Sequence, residues 1–213
     1  MPKTEPFDKH LAEYERWFTN NPLTFESELS AIKKVLPVIT SNMKLVEIGI
    51  GSGIFASALG IKEGIDPSDV MLKKAKERSI KAVRGIAEDL PFADESYDCA
   101  LMITTLCFLD NVKKAFEEIR RILKEPGIFV IGFIDRESPL GKKYLSKKKK
   151  NIFYKDAVFH STEEVCNYLT KGGFHIEKTL QTVFTEPGNL KKAAPPLSGH
   201  GKGCFVVIRA KKL

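Results

Sequence analysis

The chain has 213 residues, enough for one α/β domain with a helical appendage, and its 43% apolar and 29% charged residues suit a globular protein that buries a full core. No stretch approaches the roughly 18 to 20 uninterrupted apolar residues of a membrane helix, and Met1–Glu5 carries no signal-peptide hydrophobic region, so a cytoplasmic location is expected and a membrane partner is not. The net charge of +7 admits a nucleic-acid partner, although much of the excess sits in local lysine clusters, and the four scattered cysteines form no Cys-x-x-Cys or Cys/His ligand spacing, which predicts reduced thiols and no metal site.

In chain order, Phe7, Leu11, Tyr14, Trp17 and Phe18 recur at helical spacing, and Asn20-Asn21-Pro22 ends that helix. A second helix is predicted over 24–36, with Phe25, Leu29, Ile32, Val35 and Leu36 buried and Pro37 as its stop. From there strands and helices alternate: strand 44–48, helix 54–59, a short strand ending at Asp66, helix 68–77, a strand near 82–84, the apolar strand 97–103, helix 112–123 and strand 128–134. This alternation calls for a parallel sheet with right-handed crossovers and helices on both faces. Helix 161–170, strand 174–184, a Pro/Gly-rich excursion and strand 204–210 break the pattern and read as a long final hairpin.

The segment V-E-I-G-I-G-S-G-I-F at 46–55 is a strand end with one carboxylate, three glycines at alternate positions and the start of a helix. Glycine permits positive φ and a close ligand approach, and the helix start presents free N–H groups, so Gly49, Gly51 and Gly53 form the floor of a nucleotide site. A dinucleotide fingerprint would place its third glycine at Ile54, which disfavours NAD and FAD. Asp66 follows Glu47 by nineteen positions, where a carboxylate can accept both hydroxyl protons of a ribose, while Asp66-Pro67-Ser68 also reads as a helix cap.

These motifs together resemble class I S-adenosylmethionine (SAM) dependent methyltransferases, in the subgroup that includes ubiquinone and menaquinone biosynthesis enzymes. The resemblance rests on Glu47-x-Gly49-x-Gly51-x-Gly53, on the phrase 64–72 (G-I-D-P-S-D-V-M-L) and on 85–98 (G-I-A-E-D-L-P-F-A-D-E-S-Y-D). It implies a Rossmann-like, seven-stranded, mostly parallel sheet with a C-terminal antiparallel hairpin and an N-terminal helical lid. It also implies a single domain: lid helices over 1–40, a SAM-binding core over 41–135, a basic loop over the substrate cleft at 136–160, and a C-terminal helix and hairpin over 161–213. The cofactor-binding set it implies is Glu47, Gly49, Gly51, Gly53, Asp66, Pro67, Met71, Ile86, Ala87, Glu88 and Thr104. Ile86 stands where the family usually has an Asp that reaches the adenine amino group, and Glu88 is either its substitute or a solvated loop residue. The implied activity is in-line transfer of the sulfonium methyl to N, O or C of a small-molecule acceptor. An RNA acceptor, a non-catalytic SAM-binding module and, distantly, an NAD-linked reductase are the alternatives.

No catalytic triad is evident, which suits a reaction whose methyl group arrives activated; His10 and Tyr14 are candidates for a direct catalytic part, and a protonated nucleophile would call on a base such as His10 or Glu88. The aromatic N-terminal helix reads either as a lid over a cationic sulfonium or as core packing. Cys107, without partners in the sequence, reads as structural. The lysines of 142–150, with Tyr144, Phe153 and Tyr154, read either as a surface for anionic substrate or RNA or as a solvated loop.

Overall fold

The computed structural model describes residues 3–213, so the first two positions of the N-terminus considered above for a signal peptide lie outside the described residues. Leu45–Ile48 (β1) and Tyr97–Ile103 (β4) are buried on nearly every residue, which only a strand in the middle of a sheet tolerates, because its backbone polar groups are all paired. Their side chains alternate between two layers. Leu45, Cys99, Leu101 and Ile103 meet Ile32 and Val35 of α3 (Pro22–Val35), Phe55 of α4 (Ile54–Leu59) and Leu72 of α5 (Asp69–Glu77). Val46, Ala100 and Met102 meet Phe116 and Ile119 of α6 (Val112–Ile122) and Val165 and Leu169 of α8 (Thr162–Lys171).

With β2 (Glu63–Asp66), β3 (Lys81–Arg84), β5 (Leu123–Ile134), β6 (Phe174–Thr182), β7 (Leu197–Ser198) and β8 (Phe205–Lys212), the strand order is β3-β2-β1-β4-β5-β8-β6-β7. The first five strands are parallel, and β8, β6 and β7 each pair antiparallel with their neighbour. The count is eight rather than the expected seven. The extra strand lies in the Pro/Gly-rich excursion, where Leu197 and Ser198 pair with Gln181 and Leu180, and the Thr182 hydroxyl donates to the Ala194 carbonyl at 2.9 Å. Between β1 and β4 the connectivity reverses direction, and in such sheets the crevice at the carboxyl ends of these strands takes the ligand.

The helix expected over Phe7–Phe18 is broken at His10 into α1 (Glu5–Lys9) and α2 (Leu11–Asn20). The bend brings each half to its own anchor. Asp8 accepts from the Ser68 hydroxyl, and Glu15 pairs with Arg78 at 2.6 Å. On α3 the buried face is Thr24, Ser27, Glu28, Ala31, Ile32 and Val35, displaced from the expected stripe so that Phe25 and Leu29 are only half-buried. Polar side chains take the inner positions because that part of α3 faces a cavity. Segment 136–160, expected as a loop, contains α7 (Pro139–Lys147), capped by Ser138, whose hydroxyl accepts the Gly141 N–H at 3.0 Å.

Phe116, 1% exposed, stacks edge-on to Phe129 at 5.2 Å between α6 and the sheet. Phe116→Ala is expected to cost about 3 to 5 kcal/mol of unfolding free energy, measured by chemical denaturation. A loss below about 1 kcal/mol would mean that this layer repacks freely.

Candidate active site

The chain leaves β1 through Gly49, Gly51 and Gly53, whose φ angles are +73°, +54° and +79°, a left-handed backbone that residues with a Cβ rarely adopt. Gly49 also touches Thr105, whose hydroxyl donates to the Gly49 carbonyl at 3.1 Å and ties the turn to the end of β4. Above Gly51 stands the Tyr14 hydroxyl, 3.5 Å from where a Cβ would be. The turn floors one end of a cavity of about 510 Å³ at the carboxyl ends of β1, β2 and β4, closed by α1, α2 and residues of the 151–154 segment.

Two carboxylates serve this end. Glu47, 1% exposed, accepts the Ala56 N–H, yet its Oε2 has no partner among the described residues. Burial, reinforced by Asp66, pushes its carboxyl up to about 8. Asp66 spans the crevice: Oδ2 accepts the Gly51 N–H and Oδ1 the Ser68 N–H, both at 2.9 Å, and burial raises it to about 6. The cap of α5 is Ser68, whose hydroxyl accepts the Met71 N–H at 3.0 Å, so the second reading of Asp66 as the cap residue falls away. Burial, with Glu47 and Asp66 next in size, holds the Tyr14 phenol well above its ordinary range, so Tyr14 stays a neutral hydroxyl.

Pro67, Met71, Ile86, Ala87, Glu88 and Thr104 all line the cavity, as do Glu47, Gly49, Gly51 and Asp66. Gly53 is not part of the lining; its Cβ position is taken by Ile80, so it serves the packing of α4. Glu88 is not a solvated loop residue, because Oε1 accepts the N–H groups of Asp110 at 2.9 Å and Asn111 at 3.1 Å. Arg121 fixes the strand-to-strand segment carrying Ile86–Glu88 by donating to the Leu90 and Phe92 carbonyls at 2.9 and 2.8 Å. Thr104 is held at φ +52°, a strained value of the kind that concentrates at functional sites.

His10 is placed differently. It lies outside the cavity lining, its Nδ1 is 2.7 Å from Glu13, and its ring meets Phe153 edge-on. Burial pushes the Cys107 thiol up to about 12, so it is no nucleophile. The lysines of 142–150 do not line the cavity, and Lys142 pairs with Glu137, Lys143 with Glu186, while Lys148 donates to the Ala157 carbonyl. Tyr144, Phe153 and Tyr154 turn inward instead, with Phe153 and Phe7 at 5.4 Å and Phe108 stacked on Tyr154. The far end of the cavity is built by Thr24, Glu28, Tyr144, Val183, Cys204 and Phe205, of which sequence reasoning singled out only Tyr144 for a site. The sequence carried no clear signal for Glu28, because the expected buried stripe of α3 ran through Phe25 and Leu29 beside it.

The raised Glu47 has a pH signature. It binds its proton more tightly folded, near 8, than at its ordinary 4.5, so its contribution to stability is lost as pH rises between about 4.5 and 8. Glu47→Gln is expected to flatten part of that decline and to raise Tm at the alkaline end of the window in thermal unfolding without ligand. An unchanged slope would place Glu47 in contact with water.

Residues 46–131 match the model of a methyltransferase domain. Over 207 residues the chain is 44% identical to an uncharacterized protein of Methanocaldococcus jannaschii, covering 97% of this chain and 98% of that one. The structure of a SAM-dependent methyltransferase from Thermotoga maritima superposes with a TM-score of 0.93 at 44% identity, covering 98% and 99% of the two chains. A demethylmenaquinone methyltransferase of Staphylococcus aureus is 31% identical over 138 residues, 58% of this chain and 56% of its own length. Fold and relatives agree: the chain belongs to the class I SAM-dependent methyltransferases.

Proposed function

We propose that this enzyme methylates a small molecule, holding SAM against the β1–α4 turn and the acceptor at the opposite end of the same cavity. The observation that carries the reading is the orphaned, buried Oε2 of Glu47 beside the left-handed glycines. A carboxylate oxygen kept dry and unpaired asks for a donor, and the methionine ammonium of SAM is one. In this reading Gly49 and Gly51 offer backbone with no Cβ to the methionine portion, and Asp66, at the end of β2, accepts from the ribose hydroxyls. Met71, Ile86 and Ala87 flank the adenine, with Pro67 beside the ribose. Oε2 of Glu88, which has no hydrogen-bond partner among the described residues, is the oxygen left for the adenine amino group.

Bound SAM supplies a methyl group activated by its sulfonium, for displacement by a nucleophilic N, O or C atom. The chain's part is to place that atom in line at roughly 3 to 3.5 Å and to keep water out. Thr104 at the end of β4 and Tyr14 on α2 line the middle of the cavity, and Tyr14, a neutral phenol, can orient a nucleophile by hydrogen bonding but does not act as a base. Enclosure by α1, α2 and the 151–154 segment supports a small acceptor over RNA, since the rings that would stack on bases are turned inward and the lysines lie outside the lining. The Thermotoga maritima relative is described as a possible histamine N-methyltransferase, which is compatible with an acceptor of this size.

Thermal unfolding with SAM, S-adenosylhomocysteine or NAD tests the reading. SAM or S-adenosylhomocysteine at about 100 times its Kd is expected to stabilise the folded state by about 2.7 kcal/mol, with NAD inactive. Asp66→Ala should weaken cofactor affinity about tenfold or more, because two ribose hydrogen bonds to a charged group are lost. Stabilisation by NAD alone would overturn the assignment.

A further inference from the structure

The end of the cavity away from the glycine turn contains a carboxylate that the cofactor reading does not use. Glu28 is 9% exposed, lines the cavity, and has no hydrogen-bond or ion-pair partner among the described residues. One helical turn earlier on the same face of α3, Thr24 is 2% exposed, and its hydroxyl oxygen also lacks a partner. Around them stand Phe18, Phe55, Tyr144, Val183 and Phe205, an apolar and aromatic wall. Two unpaired polar groups buried side by side cost free energy unless something fills their hydrogen-bonding capacity, and no residue of this wall bonds to either.

We propose that Glu28 and Thr24 form the acceptor-recognition subsite of this methyltransferase, binding the basic nitrogen of a small, largely aromatic amine. The proposal rests on the methyltransferase reading and adds to it the chemical class of the acceptor and the residues that select it. An ammonium satisfies the Glu28 carboxylate by a charge-assisted hydrogen bond and donates to the Thr24 oxygen, while the rings of the wall take the rest of the molecule and attract the cation through their faces. A carboxylate or phosphate would find no basic side chain among Thr24, Glu28, Tyr144, Val183, Cys204 and Phe205 to pair with.

The protonation states agree. The titratable groups facing Glu28 are Tyr14, Tyr144, Tyr154 and Cys204, all raised by burial and therefore neutral, and burial alone pushes Glu28 up to about 8. The empty subsite thus holds a proton near neutral pH. When an ammonium arrives from water, the carboxyl ionises to pair with it and that proton leaves to solvent. Amine binding is therefore accompanied by release of close to one proton.

The test uses the full chain loaded with S-adenosylhomocysteine and four probes: 2-phenylethylamine and tryptamine, with 2-phenylethanol and tryptophol as their neutral counterparts. Titration calorimetry in two buffers of different ionisation enthalpy reads both affinity and proton release. The expected result is that each amine binds about tenfold or more tighter than its alcohol and releases a proton, the scale of a hydrogen bond to a charged group. Glu28→Gln should abolish both the preference and the release while S-adenosylhomocysteine still raises Tm, and Thr24→Val should reduce the preference only in part. Equal binding of amine and alcohol by wild type, or a preference that survives in Glu28→Gln, overturns the subsite. If Glu28→Gln does not fold, the wild-type preference and proton count decide alone. Failure of S-adenosylhomocysteine to stabilise wild type would instead overturn the methyltransferase reading beneath it, so the two failures are told apart.

Discussion

The turn from β1 into α4 is the constraint on which the rest of the site is arranged. It runs through three left-handed residues at alternate positions, which only glycine takes without strain, and it sits where the strand order reverses. Its backbone is held from two neighbouring strands: the Gly49 and Ile50 N–H groups donate to the Ile65 carbonyl, and Gly51 N–H donates to Asp66. Thr105, beyond β4, reaches back to the Gly49 carbonyl. The ends of β1, β2 and β4 are thereby locked into one wall, and the Asp66 carboxylate is placed by one of the same hydrogen bonds.

Charge is distributed in opposite senses inside and outside. The chain carries an excess of seven positive charges, yet five carboxylates, Glu28, Glu47, Asp66, Glu88 and Asp110, line the cavity against two lysines, Lys3 and Lys114, and burial raises the first three. A buried carboxylate without a counter-ion is costly, so its retention at three places signals a ligand rich in donors and positive charge. SAM, a cation with an ammonium and two ribose hydroxyls, has donors of this kind. The lysines of 142–150 lie outside the lining, and Lys142 and Lys143 pair with local acids.

The N-terminal helices show how a segment with no core of its own becomes part of a site. Neither α1 nor α2 buries a residue fully, yet Asp8 to Ser68 and Glu15 to Arg78 fasten them to opposite ends of α5. Between those anchors Phe7, Tyr14 and Phe153 form a roof of rings in mutual contact. The break at His10 is what allows both anchors to be reached, and it leaves the imidazole outside the cavity lining while Tyr14 turns over the glycine turn.

The sequence by itself determined the parallel core and the glycine turn that floors one end of the cavity. Strict strand-helix alternation, the glycine spacing and the positions of Glu47 and Asp66 are local patterns, because backbone conformation at a turn and burial along a strand are imposed within a few residues. Only the tertiary structure decided the end of the cavity around Glu28, whose walls come from α3, α7, the 151–154 segment and the start of β8, elements up to about 180 positions apart with no shared motif. The helical period of α3 and the burial of Ile32 and Val35 were legible, but the inward place of Thr24 and Glu28 was not: a stripe through Phe25 and Leu29 and one through Thr24 and Glu28 are separated by one residue, and what selects between them is the cavity that other segments enclose. The pairing of Leu197 and Ser198 into an eighth strand, and the inward turn of Tyr144, Phe153 and Tyr154 away from their lysine neighbours, were settled in the same way, by contacts made only when distant parts of the chain meet.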